Sequence, residues 1–246
     1  MDATVELFQG LTVPAFERDT EFLALRREDE YCFLDGVIAS SDGGVWPVEQ
    51  YREVTNEHQV AHSTAKHTRH RRASYLVGAL ARFNLNHDQL HPRAKAAAAA
   101  LNLRPGCINP YMNTLAQVVE IVHCVEDALP IIQRLLERGI VWEEPAQPAR
   151  SSGEGVGACE APRGTLYHHY VIGNGFVTGA NCIIPTAQNL ANIEADMRAL
   201  VPRILDHTRL GRRPAIAEIT RSLEMLVRAY DPCISCSTHL LEVRFV

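Results

Sequence analysis

The chain has 246 residues, 46% of them hydrophobic, which is enough for one large domain or two small ones with a sizeable core. Its formal net charge of −5 argues against nucleic acid as a partner. No apolar run reaches the roughly 18–20 residues of a membrane span, and the N-terminus lacks a secretory signal pattern. The seven cysteines are therefore expected to be reduced thiols in a cytoplasmic protein, without disulfides.

Strand patterns come first along the chain. Residues 21–25 and 31–38 have the composition of β-strands, and residues 41–44 form a turn cluster of Ser, Asp and Gly. Residues 48–60 are predicted to be helical. Pro92 lies near the start of an alanine-rich segment that extends to Leu101 and has high helix propensity.

The longest predicted helix spans residues 113–138. Apolar residues recur there at helical spacing and form one continuous stripe, made of Leu115, Val118, Val119, Val122, Val125, Leu129, Ile132 and Leu136. Pro130 falls inside this stripe, so a kink or break is expected there. Residues 145–156, rich in Pro, Gly and Ser, are predicted to be a loop.

A second strand region spans residues 166–184, with a turn at 173–175. Thr186 is a plausible cap for a helix that runs to about residue 205. A last predicted helix, at about 215–229, leads into the C-terminal loop. These elements predict an α+β fold dominated by helix, formed by residues 1–246 as a single domain.

The C-terminal loop places two thiols and an imidazole close together. Cys233 and Cys236 form a Cys-x-x-Cys pair, Asp231 precedes it, and His239 lies three residues beyond it. Thiolates are soft ligands that suit nickel, zinc, copper(I) and iron clusters. A pair of inert buried thiols and a redox dithiol are alternatives, although redox pairs usually open a helix rather than follow one. The other five cysteines are expected to be small core residues: Cys32, Cys107, Cys124, Cys159 and Cys182.

The pattern Asp231-Pro-Cys233-x-x-Cys236-x-x-His239 resembles the C-terminal signature of the large subunit of nickel–iron hydrogenases. Three further segments resemble that family in the same order: residues 62–67 followed by 75–82, then Glu-Ala-Pro-Arg-Gly at 160–164, and residues 181–189. The similarity is strongest to the cytosolic, cofactor-coupled branches and extends from about residue 11 to residue 239. The resemblance implies the fold of a hydrogenase large subunit and reversible heterolytic cleavage of hydrogen.

The resemblance also implies a set of metal ligands. Cys233 would be a terminal nickel ligand, and Cys236 would bridge nickel to an iron that carries cyanide and carbonyl. His239 would bind a nearby magnesium through its ring, and the backbone carbonyl of Cys182 would be another magnesium ligand.

Four further residues would surround these metals by resemblance. Arg163 would stand over them and polarise the open coordination position, while Asp231 would hold Arg163 in place. Thr186 would donate a hydrogen bond to a cyanide, beside Pro185 at the start of the same segment. Taken without the resemblance, Arg163 could equally cap a loop through an ion pair, and Thr186 could serve only as a helix cap.

The family's first cysteine pair, in an Arg-x-Cys-Gly-x-Cys motif, does not occur in these 246 residues. The chain is therefore expected to be inactive alone. Its implied partners are the missing N-terminal half of the large subunit, an iron–sulfur small subunit and nicotinamide-coupled electron-transfer subunits. Residues 240–246 resemble the peptide that a maturation protease removes, and an ordinary terminal strand is the alternative. A metal-free scaffold, as in the homologous respiratory-complex subunit, and a zinc-binding domain are the other functional interpretations.

Overall fold

The computed structural model describes residues 2–206 and 216–237. The helices are α1 (Asp2–Gln9), α2 (Tyr51–Thr55), α3 (Ala79–Asn86), α4 (Pro92–Ala100), α5 (Met112–Arg138), α6 (Pro185–Asp206), α7 (Ile216–Tyr230) and α8 (Ile234–Ser237). The strands are β1 (Glu21–Arg26), β2 (Val37–Ser40), β3 (Val45–Trp46), β4 (Tyr75–Leu76), β5 (Gly153–Ala161), β6 (Gly164–Gly173) and β7 (Phe176–Ile183). The prediction of an α+β fold dominated by helix is confirmed.

The first sheet has the strand order β3-β2-β1-β4. β1 is its buried centre, antiparallel to β2 and parallel to β4. The prediction for β1 is confirmed, but the strand predicted over 31–38 is wrong in extent, since β2 begins only at Val37. Tyr31 and Cys32 are buried by contacts outside the sheet, so their apolar character reflects the core rather than strand pairing.

The second sheet is an antiparallel meander in the order β5-β6-β7. Its β6–β7 hairpin turns at residues 173–175, where Asn174 and Gly175 both have positive φ, as predicted. The predicted loop over 145–156 ends earlier, because β5 begins at Gly153 and pairs with β6 along its whole length.

Helix α5 confirms the predicted long helix, but its two halves differ in their surroundings. The first half packs into the core through Leu115, Val118, Val119 and Val122. The second half exposes the rest of the stripe: Val125, Leu129, Ile132 and Leu136. The break expected at Pro130 is wrong, since the helix continues to Arg138. The turn around Pro130 is exposed, so water can bond the backbone carbonyl that lacks its intrahelical partner.

Two hydrophobic clusters hold the elements together. The larger joins α3, α4, α5, α6 and α7, and the smaller joins the first sheet to α2 and β6. The helix predicted over 48–60 is shorter in the structure: a 3-10 turn at Val48–Gln50 leads into α2, which ends at Thr55. No helix in the described ranges 2–206 and 216–237 is long and apolar enough to cross a bilayer.

Candidate metal centre at the C-terminal cysteine loop

The cysteine loop follows α7 through a residue with left-handed backbone geometry. Asp231 has φ 49°, and its N–H bonds the carbonyl of Arg228, so the chain leaves the helix and turns back. Pro232 and Cys233 then lead into the single turn of α8. This turn brings Cys233 and Cys236 together, with Cα atoms 5.3 Å apart.

The structure joins Cys233 and Cys236 in a disulfide, so the expectation of unpaired thiols is wrong for this pair. Their Cα separation of 5.3 Å lies within the range that a disulfide requires, because α8 folds the three-residue spacing back on itself. Two sulfurs that approach this closely can also bind one metal ion once they are reduced. The other five cysteines are unpaired.

Thr186 lies directly against the loop. It is buried in the first turn of α6, and its Oγ1 accepts a hydrogen bond from the Cys233 N–H at 3.1 Å. Pro185 is the first residue of α6, where a missing N–H costs nothing. The prediction of Thr186 as a helix cap is therefore wrong: the helix begins one residue earlier, and the hydroxyl anchors the cysteine loop instead.

Arg163 reaches the loop from the β5–β6 turn. Its Nη2 lies 3.1 and 3.2 Å from the two carboxylate oxygens of Asp231, and its Nε donates to the Asp231 carbonyl. Both side chains are partly exposed, so this ion pair alone contributes little to stability. Its structural effect is to fix the guanidinium beside the residue that leads into the cysteine pair.

The backbone around Arg163 is held by close packing against β4. Gly164 has φ +135°, and a Cβ there would lie 2.3 Å from a methyl carbon of Val77. The Asn189 side chain on α6 bridges the two segments, since it accepts from the Val77 N–H and donates to the carbonyls of Val77 and Arg163. These contacts align the turn with the first part of α6, where Thr186 lies.

A buried arginine holds the same turn from the core side. Arg82 on α3 is 1% exposed and makes a bidentate pair with Glu120 at 2.6 and 2.7 Å. It also donates to Glu160 and to the carbonyls of Ala161 and Pro162, the two residues before Arg163. Burial raises the pKa of Glu160, and the positive charge of Arg82 opposes that shift.

The end of α7 is anchored by amide side chains in a comparable way. Asn113 on α5 donates to the Ala229 carbonyl at 2.8 Å and accepts from the Leu80 N–H. Asn192 on α6 donates to the Tyr230 hydroxyl, which bonds Asp196. Sequence reasoning assigned no role to Arg82, Asn113, Asn189 and Asn192. Arg82 and Asn189 lie in the segments 75–82 and 181–189 that carry the family resemblance, whereas the signal for Asn113 and Asn192 was only a polar residue within a helix.

Of the two predicted magnesium ligands, only Cys182 lies within the residues that the structure describes. Cys182 lies on β7 opposite His168, and its Sγ is 3.5 Å from the His168 Nδ1 and 3.8 Å from the Tyr170 hydroxyl. The thiol thus faces the hairpin, while Ile183 and Ile184 connect its backbone to Pro185. His239 lies outside the described residues.

The donor set at the loop fits a soft metal. It offers two sulfurs on one turn, a permanently charged guanidinium held by Asp231, and a hydroxyl that is buried beside the first sulfur-bearing residue. Thiolates satisfy nickel or zinc, and the charged guanidinium suits an anionic group on the metal. Two sulfurs are half of a four-thiolate set.

Comparison with protein families agrees with this geometry. A profile of the nickel-dependent hydrogenase family matches residues 36–239, so the chain belongs to that family. Among similar proteins, the sulfhydrogenase 1 subunit alpha of Pyrococcus furiosus is 36% identical over 246 residues, which is 98% of this chain and 55% of that protein. The subunit beta of the NAD-reducing hydrogenase HoxS of Cupriavidus necator is 34% identical over 68% of this chain and 35% of its own length.

Solved structures show the same relationship. An NAD+-reducing nickel–iron hydrogenase in its H2-reduced state superposes with a TM-score of 0.78 at 26% identity, covering 97% of this chain and 56% of that one. A Ni-Fe-Se hydrogenase of Desulfovibrio vulgaris shares the fold, with a TM-score of 0.54 at 19% identity. The chain therefore spans about half the length, or less, of these hydrogenase subunits.

Proposed function

We propose that the chain is the C-terminal part of a nickel–iron hydrogenase large subunit and supplies half of its metal ligands. The observation that carries this proposal is the meeting of three separate segments at the cysteine loop. Arg163 pairs with Asp231, Thr186 bonds the backbone of Cys233, and α8 brings the two sulfurs together. The family match adds the kind of metal that such a loop would hold.

In this proposal the reduced thiolates of Cys233 and Cys236 would hold a nickel–iron centre whose iron would carry cyanide and carbonyl, with Cys233 as a ligand of nickel and Cys236 as a ligand of both metals. His239 and the backbone carbonyl of Cys182 are proposed to hold a magnesium nearby. When bound, the nickel–iron centre would supply the reversible cleavage of hydrogen. The disulfide must be reduced before metal can enter, because the thiolate is the form that ligates metal.

The residues around the cysteine loop are proposed to orient the ligands of the metal centre and to polarise its open coordination position. The guanidinium of Arg163 can donate to an anionic ligand on iron and favour negative charge near the open position. Asp231 orients the guanidinium through both carboxylate oxygens. The Thr186 hydroxyl accepts from the Cys233 backbone and still has its own proton to donate to a cyanide, with Pro185 beside it at the helix start.

An exposed apolar surface supports the proposed partners. The second half of α5 exposes the stripe residues after Val122, and a groove of about 540 Å³ beside it is lined by Phe33, Ile121, Val125 and Pro162. Exposed apolar surface of this extent is typical of protein interfaces. We propose that a segment carrying the family's first cysteine pair covers this face, and that an iron–sulfur small subunit accepts the electrons. We also propose nicotinamide-coupled partner subunits, which the similarity to NAD-reducing hydrogenases supports, and a cytoplasmic location.

Co-expression tests the proposal. The chain is produced with a polypeptide that carries the first cysteine pair, a small subunit and the maturation proteins; this assembly is called the complemented complex below. Nickel, iron and hydrogen uptake are then measured. Cys233→Ala with Cys236→Ala should abolish uptake and nickel, whereas Cys107→Ala, at an unpaired cysteine elsewhere in the fold, should leave both unchanged.

Three outcomes would contradict the proposal. Full uptake in the double variant would show that the loop holds no metal. Partner binding without metal would favour the scaffold interpretation, and zinc alone would favour a zinc-binding domain.

A further inference from the structure

A second group of metal-binding side chains lies away from the cysteine loop. His62, His67 and Glu194 each offer one ligand atom, and these atoms all lie within 4.8 Å of one another. The His62 Nε2 is 3.4 Å from the Glu194 Oε2, and the rings of His62 and His67 meet edge to face at 5.8 Å between centroids. The cluster joins two elements, since both histidines lie in the loop 56–74 and Glu194 lies on α6.

The three groups differ in burial in a way that suits a bound ion. His67 is 6% exposed, the Glu194 side chain 30% and the His62 side chain 59%, so the cluster opens from the core toward solvent. Burial lowers the pKa of His67, which keeps its ring neutral and able to ligate. Arg198 holds the Glu194 Oε1 at 2.5 Å, which orients Oε2 toward the histidines.

The donor chemistry favours a transition ion over magnesium or calcium. Two imidazole nitrogens and one carboxylate oxygen are a typical three-ligand zinc set, with the fourth position left to water. Magnesium and calcium prefer oxygen ligands throughout. Since zinc sits about 2.0–2.1 Å from each donor, tetrahedral donors are about 3.4 Å apart. The His62 Nε2 and the Glu194 Oε2 already have this separation, and all three donors lie within 4.8 Å, so a small side-chain adjustment would close the set.

The loop that carries the two histidines is held by side-chain contacts rather than by secondary structure, and Thr68 and Ser74 already donate hydrogen bonds to α6. Residues 56–74 contain no helix or strand, only a backbone bridge between His58 and His67. Loops of this length without secondary structure are uncommon and are usually functional. An ion bound by His62, His67 and Glu194 would add a further link between this loop and α6.

The cluster is also separate from the proposed hydrogenase centre. Glu194 follows Thr186 by eight positions on α6, which places the two about 12 Å apart along the helix axis. We propose that His62, His67 and Glu194 form a zinc site with one coordination position open to solvent. The bound ion links the loop 56–74 to α6.

The full chain in a Cys233→Ser, Cys236→Ser background tests the site without the thiol pair of the C-terminal loop. Zinc alone is titrated against a chromophoric chelator, and the background protein should bind one equivalent. His62→Gln, His67→Gln and Glu194→Gln should each weaken zinc binding by at least about 100-fold, since loss of an outer-shell partner alone costs 10–100-fold. Cobalt should give visible absorption without a thiolate charge-transfer band.

His87→Gln is the matched control, because His87 pairs with Asp88 outside the cluster, and zinc affinity should not change. Circular dichroism checks the fold of each variant. If His67→Gln does not fold, the more exposed His62→Gln decides. No zinc binding in the background protein, or binding that survives His62→Gln and Glu194→Gln, overturns the site. Neither result bears on nickel at the cysteine loop, because that loop lacks thiols in these proteins.

Discussion

Replacing Arg82 by methionine should destabilise the folded chain by about 3–5 kcal/mol, the cost of leaving buried charge without its partner. The guanidinium donates five hydrogen bonds: two to Glu120, one to Glu160, and one each to the carbonyls of Ala161 and Pro162. Arg82 is 1% exposed and the Glu160 side chain 0%, so solvent cannot replace these bonds. Methionine fills much of the volume but donates nothing.

The size of this effect should depend on pH. Burial already raises the pKa of Glu160, and removing the charge of Arg82 raises it further. In the variant the folded state therefore binds a proton that the unfolded state releases, so its stability increases as pH falls toward the ordinary value of 4.5. The destabilisation should be larger at pH 7 than in mild acid.

Urea unfolding followed by circular dichroism measures the loss. Arg93→Met is the matched control, because Arg93 pairs with Glu126 on the surface and its side chain is 57% exposed, so its loss should cost under about 1 kcal/mol. Arg82→Lys should not rescue the protein, since an ammonium cannot reproduce the bidentate pair. A loss for Arg82→Met no larger than that for Arg93→Met would refute the reasoning.

Three further outcomes are expected. Gly164→Ala should destabilise the folded chain by about 1–3 kcal/mol or more, because the φ of Gly164 is +135° and the new Cβ would lie 2.3 Å from a valine methyl. Gly155→Ala should be nearly neutral in the same urea assay, because a Cβ there meets nothing within 4 Å. Thr186→Val should speed amide exchange at Cys233 and lower the free energy of unfolding by about 1 kcal/mol, because the hydrogen bond is lost. Thr186→Ser should change neither. Unchanged exchange in Thr186→Val would show that the hydrogen bond is unimportant. Burial lowers the pKa of His67 below 6.5, so the unfolded chain binds more protons than the folded chain, and stability is lost as pH falls through 6.5. His67→Gln should therefore reduce the drop in urea midpoint between about pH 7.5 and about pH 5.5. An unchanged drop would contradict this.

Helix α5 shows what the sequence could predict and what it could not. Its apolar period correctly predicted the helix almost to the residue, because side-chain spacing is a local property. The same period could not show that only the first half is buried, since burial depends on which elements pack there. Pro130 was expected to break a helix that continues, because an exposed backbone carbonyl can be hydrated.

Strand β5 was missed for a related reason. Its sequence alternates glycine with small and acidic residues, which have low strand propensity, and it is ordered by pairing with β6 over its whole length. The next strand along the chain supplies the hydrogen bonds, and the composition of β5 itself gives no strand signal.

The candidate site divides in the same way. The residues proposed to carry the chemistry were found through the family resemblance, and the structure places Arg163 against Asp231 and Thr186 against Cys233. The residues that position them did not stand out. Arg82 and Asn113 act through contacts to segments tens of residues away, and such contacts leave no spacing signal in one sequence.

The most direct test of the account is X-ray absorption at the nickel edge of the complemented complex. If Cys233 and Cys236 hold the metal, nickel in the wild type should be coordinated by sulfur, and each single cysteine-to-serine variant should lose one sulfur ligand or the nickel itself. Equal nickel content with unchanged sulfur coordination in the wild type and in the Cys233→Ser, Cys236→Ser protein would contradict it.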